Sequence, residues 1–168
     1  HVFKPPARVT AAYNALWHGT LAYAQQMADM IGDGDTAGKV QDSRDLVEAN
    51  FDEAFFDEAC GLFRDGFVDG GPGAGISEHS NLAAICYGLA NADQTRGIIA
   101  RLYEEHDIDF LEAEPFFCVV VLAALRRAGR IDLALDLIRD RWGKRMVDVG
   151  MTSLIEEWHA SGSWRGPD

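Results

Sequence analysis

The 168-residue chain is 48% hydrophobic and carries a formal net charge of −12 at neutral pH, a composition typical of a single folded globular unit. The acidic balance disfavours binding to nucleic acid or to an anionic membrane surface, because both attract basic patches. The longest apolar run, residues 116–125, has about half of the roughly 20 residues that a membrane-spanning helix requires.

The three cysteines, Cys60, Cys86 and Cys118, are odd in number, and the last two lie inside apolar runs. Buried thiols therefore fit the pattern better than a disulfide framework. No CxxC or HxxxH spacing is present, so we predict no metal site and no cofactor. The compartment is not specified, although free thiols favour the cytoplasm. The opening residues HVFKPPARV lack an initiator methionine, and we expect them to continue from a longer protein.

Helical periodicity begins after Pro5–Pro6 and predicts a first helix that ends at the turn GDGD, residues 32–35. Asp35 or Thr36 is the expected N-cap of a second helix. The first helix is predicted to bury the stripe Tyr13, Leu16, Trp17, Thr20, Leu21, Ala24, Met27, Ala28 and Ile31. The second is predicted to bury Val40, Val47, Phe51, Ala54 and Phe55.

Residues 56–70 hold short aromatic runs between acidic and glycine turns, which predicts a small β-excursion before an open loop. Ser77 is the expected N-cap of a third helix. Three more helices are predicted at residues 92–107, 114–129 and 130–143, and TSLIEEW, residues 152–158, is predicted to open a seventh.

The third and fifth helices are the more apolar, whereas the second, fourth and sixth have a charged face. Alternating inner and outer helices of this kind build toroids and solenoids, here with a period of roughly forty residues. We therefore predict an all-α fold in which α/α hairpins form about half of an (α/α)6 toroid. Residues 1–168 are expected to form a single helical unit.

Four segments, in order and over almost the whole chain, carry a resemblance: FDEAFFDEACGLFRDG, ISEHSNLAAICYGL, EPFFCVVVLAALRRAGRIDLALDLIRDRWG and MVDVGMTSLIEEW. They resemble segments of the α-L-rhamnosidases of glycoside hydrolase family 78. FDEAFFDEACGLFRDG resembles the turn after an outer helix of that family, and ISEHSNLAAICYGL resembles the inner helix that follows it. The third segment, EPFFCVVVLAALRRAGRIDLALDLIRDRWG, is similar to an inner helix, an outer helix and their Arg-Trp-Gly end. MVDVGMTSLIEEW resembles the stretch that closes the catalytic domain.

The resemblance implies the C-terminal half of an (α/α)6-barrel catalytic domain. The expected activity is inverting hydrolysis of terminal α-L-rhamnosyl bonds, with a rhamnose-containing glycoside as the substrate. The family's acid-rich loop with the general acid and its Ser-Arg-x-His-x-Trp-Ser segment have no counterpart in this sequence. The isolated chain is therefore expected to be inactive or nearly so.

By the same resemblance Glu156 takes the general-base position, and Trp158 shapes the sugar site beside it. Glu157 takes the role if the register slips by one residue, because adjacent helical side chains point about 100° apart and cannot serve one site equally. Considered without the resemblance, both acids are equally explained by favourable interaction with a helix dipole.

Glu78 and His79 begin the third helix, at the end where barrel sites open, and are candidates for hydrogen bonds to sugar hydroxyls. The alternative is a helix cap followed by a solvated acid. Trp17 and His18 are further candidates to face the barrel interior, although a core Trp is the commoner explanation.

Two other functions remain open. The first is a helical-repeat domain that binds a peptide or protein on its concave face without catalysis. The second is another six-hairpin enzyme, such as a glucosidase or an unsaturated-uronyl hydrolase. Half a toroid also exposes inner-helix surface, which predicts a homodimer through that surface.

Overall fold

The computed structural model of the chain describes residues 9–68, 71–73, 75–105 and 107–158. The α-helices are α1 Ala11–Ile31, α2 Gly34–Phe55, α3 Glu78–Tyr87, α4 Ala92–Ile99, α5 Cys118–Arg127 and α6 Ile131–Leu137. Helices α4 and α6 continue directly as π-helical segments, which are named π1 (Ala100–Glu104) and π2 (Ile138–Val147). The predicted all-α fragment of a toroid is confirmed.

The predicted β-excursion consists of two short antiparallel ribbons between α2 and α3. Strand β1 (Phe56–Asp57) pairs with β2 (Leu62–Phe63), and β3 (Phe67–Val68) pairs with β4 (Gly71–Pro72). The buried Asn81 side chain of α3 accepts a 2.9 Å hydrogen bond from the Phe63 amide and donates one of 3.0 Å to its carbonyl. The first ribbon is thereby fixed to the helix that follows it.

The helix boundaries follow local capping chemistry. Gly32 ends α1 in the left-handed conformation, with φ 74°, as the glycine stop predicts. The N-cap of α2 is Asp33, whose Oδ1 accepts a 3.1 Å hydrogen bond from the Thr36 amide, so the expectation of Asp35 or Thr36 is wrong. Ser77 caps α3 as predicted, with its Oγ accepting from the Ser80 amide.

Helix α3 lies between α1 and α5, while α2 packs against α1 and α6 packs against α5. Helices α1 and α3 pack tightly at Gly19, where an added Cβ would lie 2.2 Å from the Tyr87 ring. Only a residue without a side chain permits this packing.

The predicted inward stripe of α1 is largely wrong. Tyr13, Trp17, Met27 and Ile31 are all more than half exposed. The buried residues of the helix are instead Ala11, Ala12, Ala15, His18, Gly19, Leu21 and Ala28. Small side chains are buried here because α1 lies close to both α2 and α3, and its large apolar side chains lie on the opposite, open face.

The end of the described chain differs from the prediction. Residues 151–158 form neither helix nor strand, so the expected seventh helix does not begin at TSLIEEW. The segment follows π2 and a turn in which Gly150 has φ 79°. Its course is set by contacts with distant parts of the chain rather than by regular backbone hydrogen bonds.

Cys60, Cys86 and Cys118 are free thiols. Burial raises the pKa of each of them, which favours the protonated thiol and lowers its reactivity. Within the described ranges, none of the helices combines the length and apolar character needed to cross a membrane.

Candidate active site

A cavity of about 370 Å³ lies where the N-terminal ends of α1 and α3 meet the segments before α5 and after π2. Its size suits a small ligand such as a monosaccharide, since ligand pockets commonly measure about 300–1,000 Å³. The lining residues are Ala12, Tyr13, Leu16, His79, Glu114, Phe116, Phe117, Glu156 and Glu157. Two of the four predicted site residues, His79 and Glu156, are thereby brought together.

The N-terminal ends of α1 and α3 are joined at this cavity by the buried Asp65. Its carbonyl accepts a 3.1 Å hydrogen bond from the Ala11 amide, and its carboxylate accepts one of 2.6 Å from the Ser80 hydroxyl. Gly75, with φ 96°, passes so close that an added Cβ would lie 2.9 Å from Asp65 Oδ2. The loop before α3 is thus packed tightly around this carboxylate.

Glu156 and Glu157 both line the cavity, with Glu156 exposed and Glu157 half-buried. The 100° separation expected of adjacent helical residues does not apply, because this segment is not helical. The same fact removes the alternative that both acids serve only a helix dipole. Helical geometry therefore does not choose between the two carboxylates.

His79 is 8% exposed and lines the cavity. Its ring lies 4.5 Å from the Phe117 ring between centroids. Burial lowers the pKa of His79, against the opposing charges of Glu78 and Asp65. The neutral imidazole, which has one donor and one acceptor nitrogen, is therefore favoured at neutral pH.

Glu78 does not line the cavity, and its side chain is fully buried in an ion pair with Arg141. The Arg141 nitrogens lie 2.7 and 2.9 Å from the two carboxylate oxygens. The same oxygens accept hydrogen bonds of 2.6 Å from the Tyr103 hydroxyl and the Ala113 amide. The expected contact of Glu78 with a sugar hydroxyl does not fit this placement, because both oxygens are occupied and buried.

Electrostatics reinforce this cluster. Burial alone would lower the pKa of Arg141, but the hydrogen bond and the charge of Glu78 outweigh it and raise the pKa. Burial raises the pKa of Tyr103 well above its usual value, and the charge and hydrogen bond of Glu78 add to the effect. Both shifts favour a charged Arg141 and a neutral Tyr103 at neutral pH.

Trp158 is buried beneath the cavity wall rather than exposed in it. Its indole Nε1 donates a 2.8 Å hydrogen bond to the Ala113 carbonyl, and its backbone amide donates one of 2.7 Å to Glu114 Oε2. Its ring packs edge-to-face against Trp142, with centroids 4.9 Å apart. Trp158 is not among the residues that line the cavity, and the contacts of its ring are with Trp142 and the Ala113 carbonyl.

Besides the aliphatic Ala12 and Leu16, four cavity residues are not among the site candidates that the sequence indicates: Tyr13, Glu114, Phe116 and Phe117. Phe116 is 91% and Tyr13 60% exposed, and together with Phe117 they line the cavity, so its apolar surface is a patch of the kind that marks ligand or partner binding. The sequence holds one clue, an acid followed by Pro and two aromatics at residues 114–117, but the same pattern marks the start of a helix.

Trp17 and His18 do not line the cavity. Trp17 is exposed on the open face of α1, whereas His18 is 3% exposed. The His18 Nε2 lies 2.7 Å from Glu48 Oε1 on α2. His18 therefore joins the two helices of the first hairpin and does not face a barrel interior.

A solved structure described as a rhamnosidase from Klebsiella oxytoca with rhamnose bound is similar to this chain, with a TM-score of 0.75 and 22% sequence identity. The similarity covers 89% of this chain and 28% of that chain, so this protein spans little more than a quarter of the neighbour's length. No protein-family model matches the sequence, and no curated protein matches it significantly. Membership of family 78 in particular stays a prediction. The chain has a rhamnosidase-like fold.

Proposed function

We propose that this chain carries the general-base side of a glycosidase site that hydrolyses terminal α-L-rhamnosyl bonds with inversion. The observation that carries the proposal is the shared cavity of Glu156 and His79 in a fold similar to that of a rhamnosidase with rhamnose bound. The family 78 resemblance, which assigns Glu156 the base position, is a second and independent support.

In the proposed reaction the Glu156 carboxylate removes a proton from a water molecule. The water oxygen attacks the anomeric carbon from the face opposite the leaving group, and the bond from that carbon to the glycosidic oxygen breaks. A carboxylic acid on the other face protonates the departing oxygen, and inverting enzymes hold the two carboxyl groups about 6.5–9.5 Å apart to admit the water. We assign that acid to a segment outside these 168 residues, as the resemblance implies.

The remaining cavity residues are proposed to bind the sugar. The neutral His79 imidazole, whose pKa burial lowers, donates or accepts one hydrogen bond with a sugar hydroxyl. Tyr13, Phe116 and Phe117 offer apolar surface to the C–H face of the ring and to the methyl group of a 6-deoxy sugar. Glu78 and Trp158 act behind the site rather than on the substrate.

An activated substrate tests the general base without the acid. Dinitrophenolate leaves as a stable anion that needs no protonation, so slow hydrolysis of 2,4-dinitrophenyl α-L-rhamnoside by the 168-residue chain should depend on Glu156. Glu156→Gln should slow it about 100-fold or more, with Glu157→Gln as the matched control. NMR should detect β-L-rhamnose as the first product if the reaction inverts.

Equal rates for Glu156→Gln and wild type would exclude Glu156 as the base, and a slow Glu157→Gln variant would transfer the role to its neighbour. Faster release from the corresponding glucoside, or cleavage of an unsaturated uronyl disaccharide, would favour a different six-hairpin glycosidase.

A protein-binding function is the second candidate, favoured by the open apolar face of α1. Tyr13 is 60%, Trp17 53% and Met27 67% exposed, which is unusual for large apolar side chains in such a row. The proposed occupant of this face is a second copy of the chain. Protein association without any effect of L-rhamnose or of the rhamnoside would favour this function over catalysis.

A further inference from the structure

Two hydrogen bonds fasten the C-terminal segment to the chain before α5. The Trp158 indole Nε1 donates to the Ala113 carbonyl at 2.8 Å, and the Trp158 amide donates to Glu114 Oε2 at 2.7 Å. Residues 113–114 and 158 are distant in sequence, and these contacts join them directly. We call this pair of hydrogen bonds the Trp158 clasp.

The segment to which the clasp attaches, residues 112–114, is itself held by contacts with α3 and π2. The Ala113 amide donates to Glu78 Oε2, and Glu78 is held by Arg141 of π2 through two hydrogen bonds. The neighbouring Glu112 accepts from Arg145 of π2, at 2.7 and 3.2 Å for its two oxygens. Segment 112–114 is therefore anchored to both π2 and α3, and the clasp attaches to a rigid support.

Glu156 precedes Trp158 by two residues, a span on the order of 7 Å at most. Residues 151–158 form no helix or strand, so regular backbone hydrogen bonds do not set the position of Glu156. Trp158 is 7% exposed and is the buried point nearest to it along the chain. Glu114 is a direct link, because its carboxylate binds the Trp158 amide and the residue also lines the cavity with Glu156.

We propose that Trp158 and Glu114 are positioning residues that hold Glu156 at the cavity, acting through the clasp. The effect of the clasp on ligand binding and catalysis rests on the proposed function, whereas its effect on the order of residues 154–158 does not. Loss of the clasp should make residues 154–158 more mobile, so that the Glu156 carboxylate no longer has one position at the cavity. The affinity of the cavity for its ligand should fall as a result.

The effect of the clasp on the order of Glu156 is tested by ¹⁵N relaxation of the Glu156 amide in the 168-residue chain. Trp158→Phe removes the indole donor and Glu114→Ala removes the carboxylate. Each should lower the order parameter of Glu156 from the rigid range near 0.85 toward about 0.6. Trp142→Phe is the matched control, since Trp142 touches the same indole without belonging to the clasp, and it should leave Glu156 ordered.

Glu114→Gln provides the rescue, because its amide oxygen can still accept from the Trp158 amide, and Glu156 should stay ordered. The effect on ligand binding is tested by L-rhamnose titration of the same variants, with about tenfold weaker binding expected for Trp158→Phe and Glu114→Ala.

An unchanged Glu156 order parameter in both Trp158→Phe and Glu114→Ala would overturn the clasp, as would equal disorder in Trp142→Phe. If the wild-type chain binds no L-rhamnose while the order parameters change as expected, the clasp stands and the proposed function fails.

Discussion

Arg141 and Glu78 form a bidentate ion pair, with nitrogen–oxygen distances of 2.7 and 2.9 Å, in which both side chains are almost fully buried. The pair joins π2 to the first turn of α3 and lies directly behind the cavity wall. An acid at the start of an inner helix thus supports the candidate site instead of binding substrate.

Arg141→Met should destabilise the protein by about 3–5 kcal/mol, because it leaves the Glu78 charge buried without its partner. Urea unfolding monitored by circular dichroism measures the change. Arg139→Met is the matched control, since Arg139 pairs with Asp136 on an exposed surface, where such pairs contribute about 0–1 kcal/mol. Equal decreases in the free energy of unfolding of the two variants would show that the buried pair contributes no more to stability than the exposed pair.

Gly19→Ala should destabilise the protein by about 1–3 kcal/mol through overpacking, because the new Cβ would lie 2.2 Å from the Tyr87 ring. Gly38→Ala in α2 is the opposite case, because an added Cβ would meet no other part of the described chain within 4 Å beyond its own helix backbone. That change should stabilise the helix by about 0.5–1 kcal/mol. Thermal unfolding of both variants measures the contrast, and a stable Gly19→Ala protein would contradict the close contact of α1 with α3.

His79 should make stability depend on pH. Its pKa in the folded protein lies below the ordinary value of 6.5, so the unfolded chain binds the proton more readily. The contribution of neutral His79 to the free energy of unfolding should therefore be complete above about pH 6.5. It should be lost as the pH falls through the folded pKa of His79. Urea unfolding at about pH 7.5 and pH 5.5 should give a smaller difference for His79→Gln than for wild type. An identical difference would remove His79 as a source of the pH dependence.

The open face of α1 should mediate self-association. Sedimentation velocity over a range of concentrations should detect a dimer of the wild-type chain, and Trp17→Glu or Met27→Glu should shift it to monomer. Leu46→Glu on α2 is the control, because Leu46 is 68% exposed but lies on another helix. A wild-type monomer at every concentration, or an equal effect of Leu46→Glu, would contradict association through this face.

The hairpins were predictable from the sequence because their signals are local. Period, caps and glycine stops such as Gly32 depend on neighbours within one or two helical turns. The burial of α1 was not predictable in the same way. Hydrophobicity selects Tyr13 and Trp17 as core residues, whereas close helix packing selects Ala15 and Gly19, and the packing depends on α3, which lies far along the chain.

The site was predictable in part for the same reason. The family resemblance singled out Glu156, the position at the start of the third helix singled out His79, and both residues line one cavity. Glu78 is buried against Arg141, which lies 63 positions further along the chain. Trp158 is buried against the Ala113 backbone, which lies 45 positions earlier. A local pattern around Trp158 predicts a helix, but those distant hydrogen bonds hold the segment in an irregular course.

If the cavity lined by His79 and Glu156 is an α-L-rhamnosyl site, as proposed, L-rhamnose should bind in it, and NMR mapping locates where the sugar binds. Titration of the ¹⁵N-labelled chain with L-rhamnose, and with D-glucose as the control sugar, locates the residues that contact ligand. We expect saturable shifts for L-rhamnose concentrated at residues 79, 114, 117 and 156. No saturable shift, or shifts centred on Trp17 and Met27 of α1 instead of the cavity, would exclude an α-L-rhamnosyl site here.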